Sequence, residues 1–521
     1  MSQTTITFIV LAAVVAVFVW DRLPVAIVAV GVALTLWATG VLELEQSLAG
    51  FGDPTVIFIA SLFVVSEALD ASGVTSWVGQ ELIARVGESR TRLIVLMMLL
   101  VAVLTAVITV NGSVAALVPV AVVTAVRLGR SPSQLLMPLA FGAHAGSLLA
   151  LTGTPVNVIV SDAADEAGVG RFNFFEFALV GVPLVVGSIA IVVLLGERLL
   201  PHRSGKSIPR DLSDHARTLV AQYELEHEAD SLLSRASGVA EVVIPPRSGL
   251  AGQTAYPGMV TDSGDLVVLA VQRKGEDLGP DETVLAVGDT LLLQGTWGAL
   301  DQRLEEPDVL AVDAPERVRR QAVRLGPGAK RALVVVAAMV ILLASGAVPP
   351  AVAGLLAAGA IVLLRVLTLE QAYRGISWTT VILVAGMISL STAMTETDAA
   401  NDLADGLVRV VGDAGPYALL LGLFLLTAIL GQLISNMATA LIVIPVAVSA
   451  AAEMDVSPEP VLMAVTVSAA AAFLTPVATP ANLMVLGPGG YRFGDYWKLG
   501  LPLLALFGVV AVLLVPVFWS L

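Results

Sequence analysis

The sequence predicts an all-α polytopic membrane protein: two inverted five-span repeats, each with a re-entrant hairpin, and a small α/β cytoplasmic domain between them. Three observations predict it. Over 521 residues the chain is 57% hydrophobic and only 14% charged, where soluble domains run near one quarter charged. Apolar runs of span length recur on both sides of one polar stretch, 201–330. The second half also slides onto the first by 325 positions with its isolated polar residues in register. This composition excludes a cytosolic enzyme and a disordered chain. The absence of cysteine removes disulfide, iron–sulfur and Cys-zinc chemistry, and four histidines leave little for a His-based metal site. A net charge of −15 argues against nucleic acid as a partner.

The first element, Thr5 to Trp20, has no basic segment before it, and a second apolar run, Val25 to Thr39, follows at once. It therefore reads as a transmembrane helix and not as a signal peptide. Further runs lie near 55–70, 93–126, 135–161 and 176–197, then near 331–347, 351–367, 379–395, 416–451, 459–486 and 497–520. A span needs about 20 residues. The 93–126 and 416–451 runs are too long for one span, so each turns back as a re-entrant hairpin or as two full spans. That gives five spans and one hairpin per repeat, with membrane repeats at 1–200 and 331–521.

Loop charge sets the orientation. Arg22, Arg85, Arg90, Arg92, Arg127, Arg130, Arg198, Arg365, Arg374, Arg492 and Lys498 share one side with the polar insert if the N-terminus is outside. Acidic residues such as Glu43, Asp53, Asp162, Glu166, Asp398 and Asp455 populate the other, and only Arg171 and Arg409 dissent. The expectation is a multi-pass protein of the inner (plasma) membrane, in contact with lipid, with a cytoplasmic insert and both termini outside.

At the 325 shift Gly50 meets Gly375, Thr55-Val56-Ile57 meets Thr380-Val381-Ile382, Asn111 meets Asn436, Thr154-Pro155 meets Thr479-Pro480, and Asn157 meets Asn482. Five spans is an odd number, so the second repeat starts on the opposite side. Inverted repeats mark secondary transporters, with the site near the midplane where they meet.

Two polar interruptions in each repeat are the site candidates. Asn111-Gly112-Ser113 and Ser435-Asn436-Met437, with Thr439 nearby, break the long runs at mid-length. An asparagine cap there would open a half-helix whose free N–H groups face the tip, an anion-binding end. Gly153-Thr154-Pro155-Val156-Asn157 and Ala478-Thr479-Pro480-Ala481-Asn482 form the second pair. Proline breaks the helical ladder, freeing carbonyls at Gly153 and Ala478 for Na⁺ and turning the Thr154 and Thr479 hydroxyls toward substrate. No Lys or Arg lies deep in the membrane, so anion binding would rest on helix ends, amides and hydroxyls. His144 is the one ionisable side chain clearly within a span, and its repeat mate is Ala469. It fits either a proton carrier or a hydrogen-bonded packing residue.

These motifs together, with Pro476-Val477-Ala478-Thr479-Pro480-Ala481-Asn482 the most specific, resemble the divalent anion:sodium symporter family of the ion transporter superfamily. The resemblance spans both membrane halves. It implies that the hairpin tips, Ser-Asn-Met here in the second repeat and Val-Asn-Gly in the first, bind substrate and Na⁺. Asn111, Ser435 and Asn436 would then join Gly153 and Ala478 as Na⁺ ligands. It further implies a homodimer working as an elevator, with segments 74–90 and 397–411 as arms.

Residues 201–330 carry 14 Lys+Arg and 20 Asp+Glu, a net of −6. Ser204-Gly205 and Gly326-Pro327-Gly328 read as linkers. Glu241 to Pro246, Leu266 to Arg273 and Thr290 to Gln294 read as strands, with turns at 262–265 and Gly288-Asp289. Trp297 to Glu306 reads as a closing helix. This 237–313 module resembles the RCK C-terminal (TrkA-C) domain. That implies dimerisation and a nucleotide-type regulator, for which Arg247, Arg273 and Lys274 are candidates. The function expected is Na⁺-coupled uptake of a small divalent anion, sulfate or dicarboxylate, with Na⁺ as coupling ion and no organic cofactor. A cation/proton antiporter and a ligand-gated channel are the alternatives.

Overall fold

The computed structural model describes residues 2–20, 22–75, 77, 89–128, 130–203, 237–261, 264–274, 276–279, 281–304, 307–312, 328–411 and 415–521. The chain divides into two compact units: Met1–Ala68 with Gly79–Pro209 and Arg331–Leu521, and Leu69–Val78 with Arg210–Lys330.

The first unit is helical, and among the described residues eight helices are long and apolar enough to cross a membrane. Its first half runs α1 (Gln3–Trp20), α2 (Val25–Ala38), α3 (Leu44–Leu48), α4 (Pro54–Ala71), α5 (Arg90–Val107), α6 (Val110–Arg127), α7 (Ser133–Gly146), α8 (Pro155–Glu166) and α9 (Ala178–Leu199). The second half runs α10 (Ala329–Ser345), α11 (Pro350–Leu363), α12 (Leu369–Gly375), α13 (Trp378–Glu396), α14 (Ala399–Val411), α15 (Pro416–Leu433), α16 (Asn436–Glu453), α17 (Pro458–Ala470), α18 (Pro480–Leu486) and α19 (Tyr496–Val509).

Helix starts stand 325 residues apart at Val25 and Pro350, Leu44 and Leu369, Ser133 and Pro458, and Pro155 and Pro480. Local devices keep the same shift. A capping box at Glu43 and Gln46 returns at Thr368 and Gln371. The left-handed backbone at Gly40 (φ 71°) returns at Arg365 (φ 54°), and that at Gly73 (φ 74°) returns at Asp398 (φ 58°).

Contacts between the halves are reciprocal. Gly386 lies against Ala29, and their positional mates, Ser61 and Gly354, lie against each other. Helix α8 packs on α16 and α17, while its counterpart α18 packs on α6 and α7. A contact accompanied by its image is the pattern a two-fold relation produces.

The hairpins depart from the shift. Arg90 pairs with Pro416 and Val110 with Asn436 as helix starts, both 326 apart, and Pro119 and Pro445 inside the second arms are also 326 apart. The connection from α6 to α7 is five residues long and that from α16 to α17 is four, which restores 325. The ungapped alignment of Asn111 with Asn436 is therefore corrected. Asn111 is the second residue of its helix and matches Met437, whereas Asn436 is the first and matches Val110. Compensating one-residue insertions leave no trace in an ungapped slide.

In the second unit a five-stranded antiparallel sheet has the order β4-β3-β6-β1-β7. Its strands are β1 (Ser237–Val243), β3 (Leu266–Arg273), β4 (Glu276–Asp277), β6 (Thr290–Thr296) and β7 (Leu310–Ala311), with β2 (Thr254–Ala255) and β5 (Thr283–Val284) paired separately. The short helix Trp297–Arg303 closes it, burying Trp297 and Leu300 against Ala240, Val242, Leu291 and Leu293. Strand β1 begins earlier than the sequence suggests, at Ser237, and ends at Val243 before Pro245-Pro246, where the ladder lacks donors. The expected features at 204–205, 262–263, 305–306 and 326–327, and most of segment 74–90, lie outside the described residues. The partner segment 397–411 contains α14.

Candidate functional site

Each hairpin has two 18-residue arms, about 27 Å apiece, and reverses across two residues, Ile108-Thr109 and Ile434-Ser435. The hydroxyls at these tips do the capping. Thr109 Oγ1 accepts the Gly112 N–H at 3.3 Å, and Ser435 Oγ accepts the Ala438 N–H at 3.3 Å. This corrects the expectation of asparagine caps. A short hydroxyl in the residue just before the helix reaches the third N–H without distortion, leaving Asn111 and Asn436 inside the first turn.

The second interruption is a full break, not a kink. Helix α7 stops at Gly146 and α8 starts at Pro155; α17 stops at Ala470 and α18 starts at Pro480. Proline at the first helical position pushes the preceding residue into the extended region. Thr154 (φ −151°, ψ 146°) and Thr479 (φ −145°, ψ 151°) sit there. Thr154 Oγ1 accepts the Val156 N–H at 3.4 Å and Thr479 Oγ1 the Asn482 N–H at 3.3 Å.

The unwound segments are laced shut by the asparagine three residues after each threonine. Asn157 Nδ2 donates to the carbonyls of Ser147 (2.8 Å) and Ala150 (2.9 Å). Asn482 Nδ2 donates to those of Ala472 (2.7 Å) and Thr475 (3.1 Å), the same two bonds shifted by 325. Broken helix ends leave carbonyls without intrahelical partners, and these amides satisfy two in each half.

Tips and breaks converge on one cavity of about 110 Å³. From the first half it is lined by Thr109, Val110, Asn111, His144, Ser147, Gly153, Thr154, Pro155 and Val156, with Phe63. From the second come Ser435, Asn436, Met437, Thr466, Ala469, Ala470, Ala478, Thr479 and Pro480, with Thr380. Four helix N-termini, those of α6, α8, α16 and α18, therefore open onto it. Their partial positive charge and first-turn N–H groups suit an anion. Among the described residues no Lys, Arg, Asp or Glu lines it.

Buried oxygens supply the complementary chemistry. Among the described residues Asn436 Oδ1, Ser113 Oγ, Thr439 Oγ1 and Asn157 Oδ1 have no hydrogen-bond partner. An unsatisfied buried acceptor costs about 1–3 kcal/mol, and an oxygen-seeking cation would relieve it. The residues present thus fit Na⁺ as cargo.

Of the candidates read from sequence, Asn111, Gly153, Thr154, Pro155, Ser435, Asn436, Met437, Ala478, Thr479 and Pro480 line the cavity. Gly112, Ser113, Asn157, Thr439 and Asn482 do not; all but Gly112 are fully buried behind it. Ser147 lines it without having been singled out, and Thr109, which opens the polar interruption, lines it in a capping role that looks in sequence like that of any threonine. A separate acidic cavity of about 340 Å³ lies among Asp53, Asp162, Glu166 and Glu396, where Thr55 donates to Asp162 at 2.8 Å. Its carboxylates make it a poor place for an anion.

In the sheet unit Arg273 is already engaged. Its Nε and Nη2 reach Asp289 at 2.7 and 2.8 Å, and Nη2 also reaches the Val284 carbonyl. That guanidinium holds the Asp289 carboxyl below the usual carboxylate range. Lys274 turns the chain with φ 55°, and Arg247 lies in the turn after β1.

The family model described as CitMHS, citrate transporter, matches residues 15–467 and 413–521. An uncharacterized transporter of Escherichia coli, YfbS, is 30% identical over 98% of both chains. The probable sodium/sulfate cotransporter 3 of Chlamydomonas reinhardtii is 24% identical over 54% of this chain and 32% of its own. Among solved structures, the Alcanivorax borkumensis YdaH transporter superposes with a TM-score of 0.52 at 14% identity, covering 97% of this chain and 99% of that one. This last likeness bears on the fold alone.

Proposed function

Because the chain belongs to the citrate transporter (CitMHS) family, we propose that this membrane transporter couples Na⁺ entry to uptake of a small divalent anion, sulfate or a dicarboxylate. Membership makes it a multi-pass transporter and not an enzyme. The sodium/sulfate name of the algal relative supports the cargo and coupling ion chosen here. One observation carries the reading: four helix N-termini from both halves meet in a cavity that, among the described residues, has no basic side chain. Helix ends bind an anion reversibly, and they neutralise little of its charge. A dianion in the membrane interior therefore needs accompanying cations, and the partnerless Asn436 Oδ1 in the lining is suited to help hold one.

In this reading the halves are inverted repeats, as the reciprocal contacts support. Hairpins and broken helices move the cargo past a scaffold in an elevator motion, within a homodimer of the inner membrane. Substrate meets Asn111, Thr154, Ser435, Asn436, Met437 and Thr479, while Na⁺ takes oxygens at Asn111, Gly153, Ser435, Asn436 and Ala478. The sheet unit acts as an RCK C-terminal-like module that dimerises in the cytoplasm. A nucleotide-type regulator would be met there by Arg247 and Lys274, with Arg273 holding the fold through Asp289.

Uptake of labelled sulfate and of labelled succinate into proteoliposomes, with and without an inward Na⁺ gradient, tests the reading. Uptake of one of them should depend on the gradient, and Asn436→Ala should lower it at least about tenfold, the loss of one charge-assisted contact. Gradient-independent flux, or full flux in Asn436→Ala, overturns it. His144 in the lining keeps one rival alive, cation/proton exchange. Dye-reported proton movement on adding Na⁺, lost in His144→Ala, would favour that rival.

A further inference from the structure

We infer that His144 is a positioning residue that turns Thr479 into a pure hydrogen-bond donor toward the cavity. The inference deepens the anion reading above and rests on it. Both amide hydrogens of Asn482 are spent on the carbonyls of Ala472 and Thr475. Its Oδ1, 3.3 Å from His144 Nε2, is therefore an acceptor only, and Nε2 must carry hydrogen. The same Nε2 lies 3.2 Å from Thr479 Oγ1, so its one hydrogen is shared between the two oxygens, and Oγ1 also accepts the backbone N–H of Asn482 at 3.3 Å. A hydroxyl has two acceptor positions and one proton. With the backbone N–H on one acceptor position and the shared Nε2 hydrogen facing the other, the Thr479 proton is left for the cavity that Thr479 lines.

The ring is held for this task. His144 is 2% exposed and stands edge-on to Phe473, with ring centroids 5.9 Å apart at 85°. The first half lacks the device. The mate of His144 is Ala469, and among the described residues Thr154 Oγ1 takes only the Val156 N–H and Asn157 Oδ1 has no partner. The cavity is thus polarised. Its second-half threonine can only donate, which selects an oxyanion acceptor at that end, whereas the first-half threonine can donate or accept.

Two measurements test this. In a chain whose only histidine is His144 (His202→Gln, His215→Gln, His227→Gln), ¹⁵N NMR of the purified full-length protein should show Nε2 protonated. A ring with hydrogen on Nδ1 alone overturns the inference. In proteoliposomes, with sulfate and succinate as probes, His144→Phe keeps the ring packing but no donor and should raise KM about tenfold, the worth of one buried bond. His144→Gln, which restores an N–H, should recover most of that loss. Equal losses in Phe and Gln variants would reduce His144 to packing and overturn the inference. Should the native protein carry neither probe, the anion reading fails, and the NMR result decides the histidine assignment by itself.

Discussion

The two half-sites share one backbone plan and differ in what completes it. Each has a hydroxyl-capped hairpin tip, a Thr-Pro break and an asparagine lacing two carbonyls at the same relative positions. In the first half the break is tightened by glycine: a Cβ on Gly153 would overlap the Ser147 carbonyl. In the second half the equivalent residue is Ala478, and a side-chain network through His144, Thr479 and Asn482 takes over. The asparagines at the tips also differ by one step along their helices, Asn111 second and Asn436 first. The two halves therefore keep the same turns and caps while differing in how each break is held, one by close backbone approach and the other by polar side chains.

The sharpest test exchanges the glycine difference. Gly153→Ala should destabilise the protein by about 3 kcal/mol, at the upper end for overpacking, and abolish uptake. The obstructing atoms are backbone and cannot rotate away. Ala478→Gly should cost about 1 kcal/mol or less and leave uptake measurable. Melting temperatures in detergent together with proteoliposome uptake would show it. Equal tolerance of both substitutions would mean that the breaks do not differ in tightness.

A smaller difference is expected at the lacing amides. Asn157→Ala and Asn482→Ala each strand two buried carbonyls, at a cost of about 2 kcal/mol after relaxation. Asn482→Ala also removes an acceptor of His144 and should cost about 1 kcal/mol more. The ordering of the two melting temperatures is the check. An Asn157→Ala protein less stable than Asn482→Ala would remove the asymmetry at its centre.

Much of this plan was legible in sequence, for a physical reason. Proline and asparagine inside apolar runs are costly unless they serve a break, so Asn111, Pro155, Asn436 and Pro480 pointed to the tips and breaks directly. What was not legible depends on partners far away or on cancellation. The one-residue offset of the hairpins is undone by the loop that follows. The caps went to Thr109 and Ser435, which in composition resemble any buried hydroxyl. The inward turn of the Asn157 and Asn482 amides onto backbone leaves no sequence pattern, because the partners are carbonyls. His144 stood out as an ionisable residue in a span, but its partner Asn482 lies 338 residues away. In the sheet unit apolar runs bounded by turns marked β3 and β6, while the Arg273–Asp289 pair joins residues that only folding brings together.

The smallest expected effect concerns the left-handed turn after the second helix of each half. Gly40 occupies it in the first half and Arg365 in the second. A left-handed L-residue costs roughly 1–2 kcal/mol, while glycine adds about 0.5–1 kcal/mol of unfolded-chain entropy. The difference favours glycine, so Arg365→Gly should stabilise the protein by about 0.5 kcal/mol and raise the melting temperature slightly. Arg365 is exposed, so its packing contributes little to either term. Gly40→Ala should do the reverse and cost about 1 kcal/mol. Arg365 also belongs to the basic set from which the sequence predicts the orientation, and Arg365→Asn separates the two roles, since asparagine tolerates this conformation without the charge. If Gly and Asn both raise the melting temperature, the backbone term governs. If both lower it, the charge does more for the second half than the turn costs, and the two turns are alike only in shape.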